Sequence, residues 1–198
     1  WMVTQNNARV TNSMEKWIRL SKLIDAENFA KEKHQHQTRD DPNIPYWKHL
    51  EKVVENLRNF GITDETILCA GWLHDTIEDT DTDYDDIEKF DGGIADIVAT
   101  VTKDTRMVKG NREISYCKQL KEGTWQAQIV KLADILANLK DLEFSTFSDS
   151  KRKEMAKNKL EYYDAIKTGL IKNKSNIPNL DSNIATLTKE FLKYEIRI

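Results

Sequence analysis

The segment Ile129–Leu142, IVKLADILANLKDL, limits the fold more than any other stretch of the chain. Its apolar residues Ile129, Val130, Leu132, Ala133, Ile135, Leu136 and Leu139 cover most of the circumference of a helix, and a helix apolar on most sides is mostly buried. Only Lys131, Asp134, Asn138 and Asp141 are polar, at offsets of three, four and three, so they form one continuous stripe. That stripe must face water, a partner or a polar cavity. With 7 Gly and 3 Pro among 198 residues, and no recurring strand-like alternation with hairpin turns, nothing in the chain signals a sheet. The expected class is all-α.

Further helices are expected where apolar residues keep the same period. In Met14–Phe29, Trp17, Leu20, Ile24 and Phe29 share a face, and in Leu50–Phe60, Val53, Val54 and Leu57 do so. Gly61 reads as a stop, and Thr63–Asp64 before Glu65 as a helix start. Loops are expected at Asp40–Pro45, Thr80–Asp86, Asp104–Asn111 and Ser145–Ser150. The basic Lys103–Arg112 stretch has the composition of a lid over phosphates, or of mobile surface. A polar linker, Lys172–Pro178, precedes a last amphipathic helix, Asn183–Tyr194. The length of 198 residues permits one substantial core, and a single domain over 1–198 is expected, with a motif-bearing core at about 29–142 and a helical extension at 151–198.

The second unusual segment is Gly71–Thr80, GWLHDTIEDT. His74, Asp75, Glu78 and Asp79 lie among Ile67, Leu68, Cys69, Ala70, Trp72, Leu73 and Ile77, and buried charge is costly unless it is paired or metal-bound. On one helix, His74 would stack over Glu78 and Asp75 over Asp79, a ligand pair with a carboxylate pair one turn further on. Asp134 of the polar stripe could complete a metal shell begun by His74 and Asp75. Two histidines upstream, His34 and His36, point to different faces of a helix, and either could reach such a metal. The acidic residues that follow are a different matter. Asp81, Asp83 and Asp85 alternate as in a calcium loop, but the central Gly and closing Glu are missing, so they read as a solvated helix end and loop.

The net charge of −3 gives no general attraction to nucleic acid. Two cysteines, Cys69 and Cys117, offer neither a disulfide framework nor zinc spacing, and they suit a reducing cytoplasm. No run reads as a membrane span or a signal peptide.

Taken in order, HQHQTR (His34–Arg39), PYWKH (Pro45–His49), LHDTIEDT, VTKD (Val101–Asp104) and KLADILAN (Lys131–Asn138) resemble the HD superfamily. Within it they resemble the hydrolase domain of the RelA/SpoT alarmone enzymes and the stand-alone small alarmone hydrolases of the Mesh1 type. KRKEMAKNKLEYYDAI (Lys151–Ile166) is similar to the helix that follows this domain in the long enzymes. The resemblance implies an HD-domain helical bundle with one divalent metal in its core. Its ligands would be His34, from the H-x-x-Q-x-R pattern, with His74, Asp75 and Asp134, and the metal would be Mn2+, with Fe or Zn as the alternatives such donors allow. It implies that Glu78 and Asp79 position and deprotonate the attacking water. Arg39, Lys103, Lys131 and Asn138 would contact the substrate, (p)ppGpp, which loses its 3′ pyrophosphate.

Four departures fall on the substrate side. Asp40 stands where the family usually has a basic residue, and it would repel a polyphosphate. The 41–45 loop is short and lacks a Gly, Leu50 replaces a Pro, and Ile135 replaces an Arg of the long enzymes. These residues keep two other functions in view. One is hydrolysis of another nucleotide, such as a deoxynucleotide or NADPH. The other is non-catalytic binding of a nucleotide or a toxin partner, for which an intact Glu78–Asp79 pair would be unnecessary.

Overall fold

The computed structural model describes residues 22–198, and Trp17 and Leu20 of the expected first helical face lie outside the described residues. All regular structure among the described residues is helical, apart from one isolated bridge between Thr38 and Pro45. The fold is an all-α bundle. Its helices are α1 (22–33), α2 (Trp47–Asn59), α3 (Glu65–Leu73), α4 (Thr76–Asp79), α5 (Tyr84–Glu88), α6 (Gly92–Val101), α7 (Lys109–Glu122), α8 (Trp125–Leu142), α9 (Asp149–Lys172) and α10 (Leu180–Leu192). No helix among them is long and apolar enough to cross a membrane.

Helix α8 is the axis of the molecule. Every residue from Ala127 to Ala137 is buried, together with Leu139 and Leu142, and α2, α3, α6, α7, α9 and α10 all pack against it. Its start is capped by Thr124, whose hydroxyl accepts from the Ala127 N–H. The polar stripe does not face bulk water: Lys131 and Asp134 are buried, so an enclosed polar site interrupts the apolar packing. Across that site lies α2, which buries His49, Leu50, Val53, Val54, Asn56 and Leu57.

Helix α2 ends at Gly61, which takes φ +83°, a conformation that favours glycine. Asp64 then caps α3 by accepting from the Thr66 and Ile67 N–H groups. Seven consecutive residues of α3, Ile67–Leu73, are buried. The α2–α3 crossing depends on Gly71, because a Cβ there would sit 2.7 Å from Leu57 Cδ1 and 3.1 Å from Val54 Cγ2.

Several boundaries differ from the sequence expectation. In α1 the buried positions are Ala26 and Ala30, while Ile24 is exposed. The expected loop at Thr80–Asp86 contains the start of α5, where Asp83 and Asp86 form a reciprocal capping box. The acidic run is thus a helix cap, with Asp81 in an exposed ion pair to Lys33 at 2.8 Å. The last helix begins at Leu180 instead of Asn183. Asn179 pins its start to the end of α2, donating through its backbone N–H to Phe60 O and through Nδ2 to Asn59 O.

Candidate active site

Helix α3 carries the chain through apolar packing and stops as the ionisable residues begin. The single helix expected across Gly71–Thr80 is interrupted. Leu73 ends α3, Asp75 takes φ −100° and ψ −4°, and α4 restarts at Thr76. Side chains use the carbonyls at this break: His74 Nδ1 lies 2.9 Å from Gly71 O, and Thr76 Oγ1 donates to Leu73 O at 2.6 Å. With Nδ1 turned to a carbonyl, it is Nε2 of His74 that faces inward. Asp75 and Asp79 do share a face. The Tyr46 hydroxyl reaches Asp75 Oδ2 at 2.7 Å and Asp79 Oδ2 at 2.9 Å.

Four donor atoms converge from three elements. His74 Nε2 lies 3.1 Å from Asp75 Oδ2 and 3.7 Å from Asp134 Oδ1. His49 Nε2, from α2, lies 3.1 Å from Asp134 Oδ1 and 3.6 Å from Asp75 Oδ2. Donors about 2.0–2.2 Å from one ion are separated by distances of this size. His74 Nε2 is also buried without a hydrogen-bond partner, which is costly for a polar atom unless something else completes it. On both counts the residues suit a divalent cation.

His34, the expected first ligand, lies beside these donors, where the charges of Asp75 and Asp79 act on its ring; the imidazole at 3.1 Å from Asp134 Oδ1 is that of His49. His34 closes the end of α1, where its Nδ1 is 2.7 Å from Gln37 Oε1 and its ring stacks on Tyr46 at 4.7 Å. Gln37 in turn donates through Nε2 to the Asp79 carbonyl at 2.7 Å. His34 therefore braces Tyr46 and the α4 segment, and its Nε2 is buried without a hydrogen-bond partner. His36 is exposed.

The electrostatics follow from packing. Burial lowers His74, but the charges of Asp75 and Asp134 outweigh it and push the imidazole up to about 10. Burial raises Asp75 and Asp134, yet both are held below the usual carboxylate range, Asp75 chiefly by His74 and Asp134 chiefly by Lys131. His49 goes the other way, because its burial outweighs the help of Asp134. Lys131 Nζ pairs with Asp134 Oδ2 at 2.7 Å, while Asn138 Nδ2 donates to Oδ1 of the same carboxylate. Each Asp134 oxygen is thereby oriented.

Glu78 and Asp79 flank the donors on α4. Glu78 Oε2 accepts from the Lys103 backbone N–H at 3.0 Å. Burial raises both carboxyls, against Lys103 at Glu78 and with a further push from Asp75 at Asp79. Arg39 donates to Asn138 Oδ1 at 3.2 Å and lies 3.6 Å from Asp141 Oδ2. Lys103 Nζ lies 3.6 Å from Glu113 Oε1. All four expected substrate residues thus border one region around Asp134.

Residues 26–170 match the HD domain family. The chain belongs to the HD-domain family. This HD protein is 42% identical over 127 residues to the guanosine-3′,5′-bis(diphosphate) 3′-pyrophosphohydrolase MESH1 of Danio rerio, covering 63% of this chain and 71% of that one. Against the Homo sapiens MESH1 the identity is 40% over 129 residues, covering 64% and 72%. Among solved structures it is similar to a metazoan ortholog of SpoT that hydrolyses ppGpp and plays a role in starvation responses. That match has a TM-score of 0.73 and 29% identity, covering 85% of this chain and 94% of the other.

Several residues of the HD site had no role in the sequence reading. His49 had a usable signal, as a His one position ahead of the apolar period of α2. Tyr46 had none, since a half-buried Tyr near a turn is unremarkable. Tyr116 of α7 and Tyr162 and Lys159 of α9 come from distant segments. Lys103 and Lys131 lie over both tyrosine rings at 4.9–5.2 Å, and Lys159 lies 5.6 Å from the Tyr162 ring.

Proposed function

We propose that this HD protein is a metal-dependent phosphohydrolase that removes the 3′ pyrophosphate of guanosine tetra- or pentaphosphate, releasing pyrophosphate and GDP or GTP. One observation carries the reading: the Nε2 atoms of His49 and His74 each stand 3.1–3.7 Å from Asp75 Oδ2 and Asp134 Oδ1 beside the Glu78–Asp79 pair and a wall of lysines. The 40% identity to the human guanosine-3′,5′-bis(diphosphate) 3′-pyrophosphohydrolase supports the substrate.

In this reading His49, His74, Asp75 and Asp134 hold the metal, with Mn2+ as the ion and Fe or Zn as alternatives for two imidazoles and two carboxylates. A divalent cation so bound lowers the pKa of water towards neutrality and offsets charge on a phosphoryl oxygen. Glu78 and Asp79 orient the attacking water and accept its proton. Burial suits them to this role, because a carboxylate raised towards the working pH is a better proton acceptor. Tyr46 keeps Asp79 beside Asp75. Arg39, Lys103, Lys131 and Asn138 receive the substrate, the cations neutralising its phosphates. Helices α9 and α10 belong to the same domain in this reading, since α9 brings Tyr162 to the pocket. A cytoplasmic location agrees with a nucleotide substrate and with two free cysteines.

A second reading keeps the chemistry and changes the nucleotide to a deoxynucleotide or NADPH. It is favoured by Asp40, which lines a small cleft with Arg39, Lys48, Lys52 and Asp141, where a carboxylate repels phosphate. Pyrophosphate release from guanosine tetraphosphate, run with Mn2+ beside dATP, dGTP and NADPH, separates the two. Release from the alarmone alone upholds the first reading. Turnover of another nucleotide alone reassigns the substrate.

A further inference from the structure

Three lysines gather on one side of the pocket, and two of them have a carboxylate partner. Lys131 is matched by Asp134 at 2.7 Å, and Lys103 by Glu113 at 3.6 Å. The Glu113 carboxylate also accepts from the Tyr162 hydroxyl, so its charge is shared. Lys159 lies three residues before Tyr162 on α9, and no carboxylate among the described residues pairs with it. Its ammonium lies 5.6 Å from the Tyr162 ring, the same ring that carries Lys103 at 4.9 Å and Lys131 at 5.1 Å. Three ammonium groups therefore crowd one aromatic side chain, and only Lys131 and Lys103 have a carboxylate within 4.0 Å. Asp134 is also a donor of the candidate metal cluster, so a cation bound there draws on the charge that now balances Lys131. Gathering like charges is unfavourable unless an anion of matching valence joins them.

We propose that Lys159 is a substrate-binding residue whose ammonium takes an oxygen of the substrate's pyrophosphate group, forming with Lys103 and Lys131 a three-cation subsite beside the metal donors. The proposal rests on the phosphohydrolase reading above and names the chemistry of the group that the pocket recognises, a multiply charged diphosphate. Lys159 as a whole residue is half-buried. Burial lowers the Lys159 ammonium to about 8, with Asp134 opposing and Lys131 and Lys103 reinforcing the shift. An arriving anion would supply the counter-charge that the protein leaves out.

The test compares wild type with Lys159→Gln and Lys159→Arg, both compatible with a helix interior. Inorganic pyrophosphate binding is measured by titration calorimetry on the metal-loaded protein at matched free metal, and steady-state kinetics are run on guanosine tetraphosphate. A charge-assisted contact is worth about tenfold or more in affinity. Lys159→Gln should weaken pyrophosphate binding and raise KM by at least about tenfold, with the loss falling on KM more than on kcat. Lys159→Arg should recover most of it, and thermal melts and metal content should match wild type. Unchanged pyrophosphate affinity in a folded Lys159→Gln protein would overturn the proposal. Failure of the functional reading looks different: wild type would release no pyrophosphate from the alarmone, while inorganic pyrophosphate would still bind through Lys159.

Discussion

Replacing His49 by Gln should strip the protein of its metal, whereas replacing His34 by Gln should not. His49 Nε2 is one of four donors, at 3.1 Å from Asp134 Oδ1 and 3.6 Å from Asp75 Oδ2. His34 is tied to Gln37 and stacked on Tyr46, outside the set. Residues that merely orient metal ligands cost about 10–100-fold in affinity when changed. Loss of a donor itself should exceed the top of that range, so the expected weakening for His49→Gln is more than about 100-fold, or about 2.7 kcal/mol. Gln retains a group that can hydrogen-bond the buried Asp134 carboxylate, so metal-free stability should fall by only about 1 kcal/mol. Elemental analysis after dialysis against chelators of graded strength gives metal occupancy, and urea unfolding of the metal-free proteins gives the stability difference. If His34→Gln empties the site and His49→Gln keeps it filled, the donor assignment is wrong and His34 must swing inward on binding.

Three other perturbations test the neighbouring parts. Glu78→Gln should reduce turnover by about 10²–10⁴-fold and raise the melting temperature at neutral pH. The sign follows from burial, which puts the folded-state pKa of Glu78 above the ordinary glutamate value of 4.5. Its contribution to stability is full below that value and is lost as pH rises through the folded pKa, so the melting gain should vanish near pH 4. Equal melting curves at pH 7 would contradict it. Tyr46→Phe removes the hydroxyl shared by Asp75 and Asp79 and should lower kcat by about 10–100-fold while metal remains bound, by analogy with other orienting contacts; kcat with parallel metal analysis decides. Gly71→Ala places a methyl 2.7 Å from Leu57 Cδ1 in a fully buried contact. It should cost about 1–3 kcal/mol, read as a lower urea midpoint at constant slope; an unchanged midpoint would mean that α2 can shift away.

Much of this protein was legible in its residue order. The apolar cylinder at 129–142 demanded enclosure, and it became the buried axis of a helical bundle. Asp64 before Glu65 and Gly61 after α2 acted as the boundary signals their side-chain chemistry implies. Ionisable residues inserted into apolar runs pointed to His74, Asp75 and Asp134, because burying them without mutual compensation would destabilise the fold. These features depend on local preference and on the rotation of a helix about its own axis, which a single segment encodes. Distances between segments are not encoded that way. His34 and His49 are equivalent as letters, and only the packing of α2 against α8 brought His49 to Asp134 while His34 came to stack on Tyr46. Lys159 and Tyr162 look like the surface and core residues of any amphipathic helix, and their place in the site depends on α9 lying along α7 and α8. The break at His74 was likewise hidden, since helical propensity favours continuity, and only side chains able to use the Gly71 and Leu73 carbonyls made an interruption stable in a buried setting.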